Sequence, residues 1–577
     1  MDNSDACEVD VELARLISVA RGEAPADLVL ANARIVNSFT GEIELGSVAI
    51  AGGRIAGTGD YREGRRIVDL AGSFLAPGLV DGHVHVESSL LSVDQYARAV
   101  VPHGVLAVVT DLHEIANVAG LPGVRYVMNG ARRLPLDLFF TAPSCVPASD
   151  LESAGAHLTA GELRQVYRWR GVVGMGEMMD YLGVLAGDAA VLAKLRTAGG
   201  VRDGHAPGLT GKELNGYVSA QIESDHESTE ADEGREKLRR GLHLMIREGS
   251  AERNLEALLP LVDDRTYHRC MFVVDDRDPL DISREGDLDA VVRRAIHLGL
   301  DPIRAVQLAT LNPARYFGLR GYGAIAPGYW ANLVVLSDLE RFAIDEVYYR
   351  GRLVANGDGP VYRSSLNQPD WITHTVKVRP FSAEQLALKS EADLFPAIEI
   401  IPRQILTRRV DVEPRREGDV ILADVERDLL KLVVVERHRA TGNIGLGLVK
   451  GFGLKRGAIG SSVAHDSHNI VVAGASDQDI CAAVREIETM QGGLVCSVDG
   501  QVVASLPLPI AGLVSAEPLE TVVAKVEALE RAARELGCAV DAPFSILSFL
   551  SLSVIPELRL TDRGLVDVKA GRLLETG

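Results

Sequence analysis

Cysteine is scarce in this chain of 577 residues. The six cysteines are scattered at Cys7, Cys145, Cys270, Cys481, Cys496 and Cys538, and no two form a C-x-x-C pair. That spacing excludes a thiolate zinc site and favours reduced thiols over a disulfide frame. Positive charge is also short, with 60 Lys and Arg against 80 Asp and Glu and a net charge of -20. A polyanion would be repelled over most of such a surface, so neither nucleic acid nor an anionic membrane is expected as a partner. No apolar run reaches the roughly 18 to 20 residues of a membrane span. The nearest, "FSILSFLSLSVIP", carries serines and ends in proline. The first residues, "MDNSDACEVDVELARLI", are acidic and lack the basic-then-apolar order of a secretory signal. A soluble cytoplasmic protein is expected.

What is present is patterned hydrophobicity. At this length the chain calls for two to four domains. After an N-terminal helical segment, 1–26, short glycine-separated strands run over 27–80, and the same style returns over 320–359 in "GAIAPGYWANLVVLS" and "VYYRGRLVANG". Flanks of this kind predict one small β-sandwich domain assembled from both sides of an insertion. The insertion, 81–319, alternates strand-like and helical stretches. Strands are expected to begin with "FLAPGLVDGHVH" and to end near Asp111, Val146, Met178, His205, His226, Ser250 and Asp275. Eight such units in about 240 residues predict an α/β fold of the (β/α)8 TIM-barrel type. Residues 360–577 read as a further mixed α/β domain. Its helix after Ser476 has an S-x-x-D cap and an apolar face of Ile480, Val484 and Ile487, and a second helix runs from Pro518 to Leu536.

The polar residues sit where barrel enzymes carry their chemistry. In "VDGHVHVESS", His83 and His85 are two apart, so on a strand they share one face about 7 Å apart and can hold one ion. His83, His85, Glu177, His205, His226 and Asp275 all fall at carboxyl ends of predicted strands. Four imidazoles and two carboxylates suit a pair of divalent metals, zinc, manganese or iron. Glu177 is placed to bridge a second ion that engages His205 and His226.

The run "PGLVDGHVHVES", with "TLNPARYFGL" and "GAIAPGYWANLVVLSD", resembles the amidohydrolase superfamily. More narrowly, "DLHEIANV", "PSCVPA", "GMGEMMD", "DGHAPGLTGKELNGY", "ESDHEST" and "MIREGSAERNL" resemble the bacterial adenine deaminase family, as do "GLGLVKGFGLKRGAIGSSVAHDSHNI" and "LSFLSLSVIPELRLTDRGLVDV" near the end. The resemblance spans nearly the whole chain. It implies hydrolysis of free adenine to hypoxanthine and ammonia in purine salvage, a manganese or iron pair, and Glu177 in the place of a carbamylated lysine. Leu112 and Val274 depart from the family's proline and threonine and remove no ligand.

Catalysis is assigned to Asp275, Glu177 and Glu114, with Asp275 both touching metal and relaying a proton while Asp276 competes for that place. Asp276, His113, Glu227, His465 and His468 are candidate substrate contacts. For His113 and Glu114 the alternative is loop hydrogen bonding, for Glu227 a helix cap, and for His465 and His468 a structural turn. The glycines of "GLGLVKGFGLKRG" fit neither phosphate-loop pattern. A purine base and water are the expected partners, and a homodimer the expected assembly. A cyclic-amide hydrolase of hydantoinase or dihydroorotase type shares the same ligands and is the rival enzyme reading, and a metal-free scaffold is the rival from outside catalysis. Zinc deaminases of bases in nucleic acid are set aside because H-x-E with P-C-x-x-C is missing.

Overall fold

Strands covered on both faces are apolar over most of their length. Val105–Asp111, "VLAVVTD", shows this, with all seven residues buried. The computed structural model describes residues 3–401 and 404–575, with side chains from Val11 onward. Eight parallel strands follow one another: β1 Leu79–Val84, β2 Val105–Asp111, β3 Asp137–Ala142, β4 Val172–Met178, β5 Val201–Gly204, β6 Ser224–Asp225, β7 His243–Arg247 and β8 Cys270–Val273. The first five form one ladder and the last three another. Between β5 and β6 the Glu223 N–H donates to the Arg202 carbonyl (2.9 Å), and between β8 and β1 the Asp275 N–H donates to the His83 carbonyl (3.1 Å) and the His85 N–H to the Asp275 carbonyl (3.1 Å). The barrel therefore closes. β3 stops at Ala142, short of the expected Val146, because Pro143 has no N–H to continue the ladder.

Alternation along these strands explains why the site lies where it does. Val80, Ala107, Val109, Met245, Met271 and Val273 form one buried cluster inside the barrel. Two residues beyond Val109, Met245 and Val273 come Asp111, Arg247 and Asp275. Each apolar inner face thus ends in a charged side chain at the carboxyl end. The opposite end is plugged by Ala314, Phe317 and Leu319.

The two flanks pair directly. Phe74–Pro77, which leads into β1, lies antiparallel to Leu333–Asp338, with Ala76 opposite Val334. All nine flanking strands are joined by hydrogen bonds into a single sheet that curls over its own core of Leu30, Val48, Ile55, Leu75 and Leu333. Ahead of it the helix Asn3–Ala20 is tied down by Tyr61, whose hydroxyl donates to the Ala20 carbonyl (2.6 Å).

The C-terminal region is built on an eight-stranded sheet running from Thr407–Val412 at one edge to Gln501–Pro507 at the other. The helix Asp477–Thr489 packs on it, capped by Ser476, whose hydroxyl accepts from the Asp479 N–H (3.2 Å). The helix Leu519–Glu535 packs against the barrel's Pro279–Arg284 helix, where Arg284 and Glu527 pair at 2.8 Å. Two segments of this region reach the barrel mouth. They are the loop 462–469, between the strands Ala458–Ser461 and Ile470–Gly474, and the helix Pro543–Phe549.

Candidate metal centre

The strand ends bring six side chains together, none more than 4% exposed. Glu177 Oε1 lies 3.7 Å from His83 Nε2 and 3.2 Å from His85 Nε2. Its other oxygen, Oε2, lies 2.6 Å from His205 Nδ1 and 3.2 Å from His226 Nε2. One carboxylate thus stands between two histidine pairs. Asp275 Oδ1 faces His83 Nε2 at 3.4 Å and His85 Nε2 at 3.1 Å. Asp275 holds φ +58°, which turns its side chain off the strand path toward this cluster.

Tautomers follow from the surroundings. His85 Nδ1 sits 3.1 Å from the Asp111 carbonyl, which only accepts, so Nδ1 carries the proton. A neutral His85 then turns a bare Nε2 lone pair on two carboxylates. Acceptor facing acceptor in a dry pocket is unfavourable unless a cation stands between them. His83 Nε2 lacks any hydrogen-bond partner among the described residues. Burial alone would push the Glu177 carboxyl up, but His226 and His205 outweigh it and hold the group well below the usual range. Burial likewise opposes a charge on His226, yet Glu177 and Glu227 raise its pKa well above that of a free imidazole. The field that would keep a proton there is equally a field for a metal cation. This donor set fits divalent metal.

Supporting groups fix the cluster. The Glu177 N–H donates to Asp111 Oδ2 (3.1 Å), and a Cβ on Gly176 would lie 1.9 Å from that oxygen, so residue 176 must be glycine. Asp81 accepts from the backbone N–H groups of His83 (3.0 Å) and Val274 (3.2 Å). Fully buried Arg247 reaches Asp275 Oδ2 at 2.8 Å and Glu227 Oε1 at 2.5 Å, leaving Asp275 Oδ1 for the histidines. A cavity of about 290 Å³ opens over the cluster, roofed by Ile405, Phe549, Leu552 and Ile555 from the C-terminal region. A larger one of about 620 Å³ adjoins it, and Asp276, His465 and Phe549 line both.

Residues 74–354 match the amidohydrolase family and residues 404–572 the adenine deaminase C-terminal domain. A protein of Dehalococcoides mccartyi named adenine deaminase is 54% identical over 567 residues, covering 98% of this chain and 99% of that one. The chain belongs to the adenine deaminase family. Adenine deaminase 2 of Carboxydothermus hydrogenoformans is 49% identical, covering 96% of this chain and 97% of its own. Adenine deaminase of Methanothrix thermoacetophila is 47% identical with the same coverage.

In this adenine deaminase family chain the other candidates, His468 excepted, lie around the same cavity. His113 lies 3.3 Å from Glu114 and 3.7 Å from Glu177. Glu227 is occupied by Arg247, and Asp276 is held by the Ser88 hydroxyl. His465 lines the cavity, whereas His468 lies behind Glu114 and does not. Sequence reasoning missed Arg247 and Asp111. Both end an inner barrel face two residues past a buried apolar one, a signal available from alternation but overlooked in a search for metal ligands. The five cysteines with described side chains are unpaired and buried, and Cys7 lies outside those residues. No described helix is long and apolar enough to cross a membrane.

Proposed function

We propose that the chain hydrolyses free adenine to hypoxanthine and ammonia, with His83, His85 and Asp275 holding one divalent ion, His205 and His226 a second, and Glu177 shared between them. The reading is carried by Glu177, whose two oxygens address two different histidine pairs. Manganese or iron is the expected pair, with zinc as the third candidate. Such ions supply Lewis acidity that brings the pKa of water toward neutrality. The chain's own residues handle the rest. Water oxygen bonds to the purine carbon bearing the amine, and the bond from that carbon to the amine nitrogen breaks. Glu114 takes up one water proton and hands it to the ring nitrogen beside that carbon, and Asp275 relays the other through Oδ1 to the departing nitrogen, which leaves as ammonia, while Arg247 holds its Oδ2. Burial drives the Glu114 carboxyl up, but His465 and His468 override it and keep the group well below the usual range, the state a proton acceptor needs. Phe549, Leu552 and Ile555 close the cavity against bulk water.

Asp276, His113 and Glu227 are proposed to border the base. A purine edge read in a dry pocket discriminates strongly, because an unmatched buried polar group costs about 1–3 kcal/mol. The purified chain, reconstituted with manganese or iron, is expected to release ammonia from adenine and to leave dihydropyrimidine rings closed. Ring opening without ammonia release would assign it to the cyclic-amide hydrolases instead.

A further inference from the structure

Glu114 is the second residue of the helix His113–Gly130, a position from which a glutamate ordinarily turns back to the free N–H groups of its own first turn. Here that work falls to another carboxylate, since the Ile115 N–H lies 3.3 Å from Glu87 Oε1. Glu114 is left to face the junction with the C-terminal domain. There His465 Nδ1 lies 2.6 Å from Oε1, and His468 Nε2 touches Oε2. Beyond this contact His468 Nε2 and Glu114 Oε2 are unpartnered, and neither makes a hydrogen bond of regular geometry among the described residues.

The proton on His468 is placed by its neighbour. The Ala464 backbone N–H donates to His468 Nδ1 (3.2 Å), so Nδ1 is bare and a neutral ring carries its proton on Nε2, against the carboxylate. The loop bearing both histidines is pinned from several sides. The Arg437 guanidinium donates to the His468 carbonyl, His438 Nε2 lies 2.7 Å from the Ser467 carbonyl, and the Asn469 amide donates across the domain boundary to the Ser153 carbonyl at 2.8 Å. His465 is further fixed by stacking on Phe549, with ring centroids 4.5 Å apart and planes 12° apart.

We propose that His468 and His465, from the C-terminal domain, are positioning residues that clamp the two oxygens of Glu114 and hold the carboxylate toward the metal site as the proton acceptor of the deamination. The proposal rests on the deamination reading for its chemistry and reassigns His468 from contact with substrate to contact with Glu114. A barrel without this domain keeps only His113, 3.3 Å from Glu114 Oε1, to aim it.

Side-chain amides test the clamp, because Asn places its amide near ring Nδ1 and Gln near ring Nε2. His468→Gln keeps a donor at Glu114 and gives up the Ala464 bond, and His468→Asn does the reverse. The clamp predicts that kcat for adenine falls less than about tenfold in His468→Gln and about a hundredfold or more in His468→Asn. KM, metal content and Tm stay alike in the two. At His465, which uses Nδ1, the order inverts and Asn outperforms Gln. A role confined to stabilising the loop predicts Asn at least as good as Gln at 468, with kcat following Tm, and that ordering overturns the proposal.

A second measurement needs no turnover. Nitrogen NMR of histidine-labelled, zinc-loaded protein is expected to show His468 neutral with its proton on Nε2, at a resonance that moves in Glu114→Gln. A proton on Nδ1 overturns the clamp even if adenine is not the substrate. Failure of the parent protein to release ammonia from adenine overturns the deamination reading and leaves the NMR result standing on its own.

Discussion

At the barrel mouth one carboxylate, Glu177, faces five imidazoles, and at the domain junction beside it another, Glu114, faces three. Both are fully buried, and both are kept ionised by the rings around them. The two regions differ in what the backbone does to the far side of a key ring. His85 Nδ1 meets a carbonyl, that of Asp111, so in the neutral ring Nε2 turns a lone pair toward oxygen. His468 Nδ1 meets an N–H, that of Ala464, so its Nε2 turns a proton toward oxygen. The first arrangement sets acceptor against acceptor and calls for a cation, and the second sets donor against acceptor and calls for none. Identical side chains thus make a metal seat in one place and a carboxylate clamp in the other, and the choice lies in a main-chain group on the opposite edge of the ring.

The strongest way to break this comparison is to remove charge from one carboxylate at a time. Glu177→Gln is expected to lose turnover of adenine by at least about 10²–10³-fold together with most of the bound metal, measured by ammonia release and elemental analysis. Metal at the parent level with wild-type rates would refute the shared-ligand role. Glu114→Gln should lose turnover as well but keep its metal, since Glu114 is not among the proposed ligands.

Much of the barrel could be read from composition and alternation. Apolar runs such as "LAVVTD" end in acids or histidines because only the last inner residue of a strand meets the cavity. The two flanking β segments were recognisable as one unit, although not that their strands join in a single sheet, which depends on the Phe74–Pro77 pairing with Leu333–Asp338. The junction was not legible. His465 lies 351 residues from Glu114 along the chain, and no local pattern links them. Nor does a sequence display a tautomer. The need for glycine at 176 was equally hidden, since it arises from an Asp111 oxygen 65 positions earlier.

Arg247 supplies an intermediate test, because it touches the metal seat without being a ligand. Its guanidinium separates Glu227 from Asp275, and burial, which disfavours its charge, is outweighed by those two acids, so its pKa stands well above that of free arginine. Arg247→Met leaves two carboxylates facing each other across a dry gap. Metal affinity is expected to fall about 10–100-fold, as for other groups that orient ligands, measured by competition with a chelator. An unchanged affinity would mean that Asp275 is held by the metal alone.

Glu152 sharpens the comparison most gently, as a junction carboxylate with no imidazole opposite it. The Ser553 hydroxyl donates to it at 3.1 Å, and burial, reinforced by Asp466, pushes its pKa up to about 8. An unfolded glutamate titrates near about 4.3. Between these values the unfolded chain gives up the proton while the folded one keeps it, so stability from this group is fully present below the lower pKa and drains away as pH rises to the upper one. Glu152→Gln cannot ionise and escapes that loss. Its Tm relative to the parent is expected to rise by about 2–4 °C between about pH 5 and about pH 8.5, read by thermal denaturation. The same difference at both pH values would mean that Glu152 is ionised in the folded protein. Histidine would then not be what separates Glu114 and Glu177 from an ordinary buried acid.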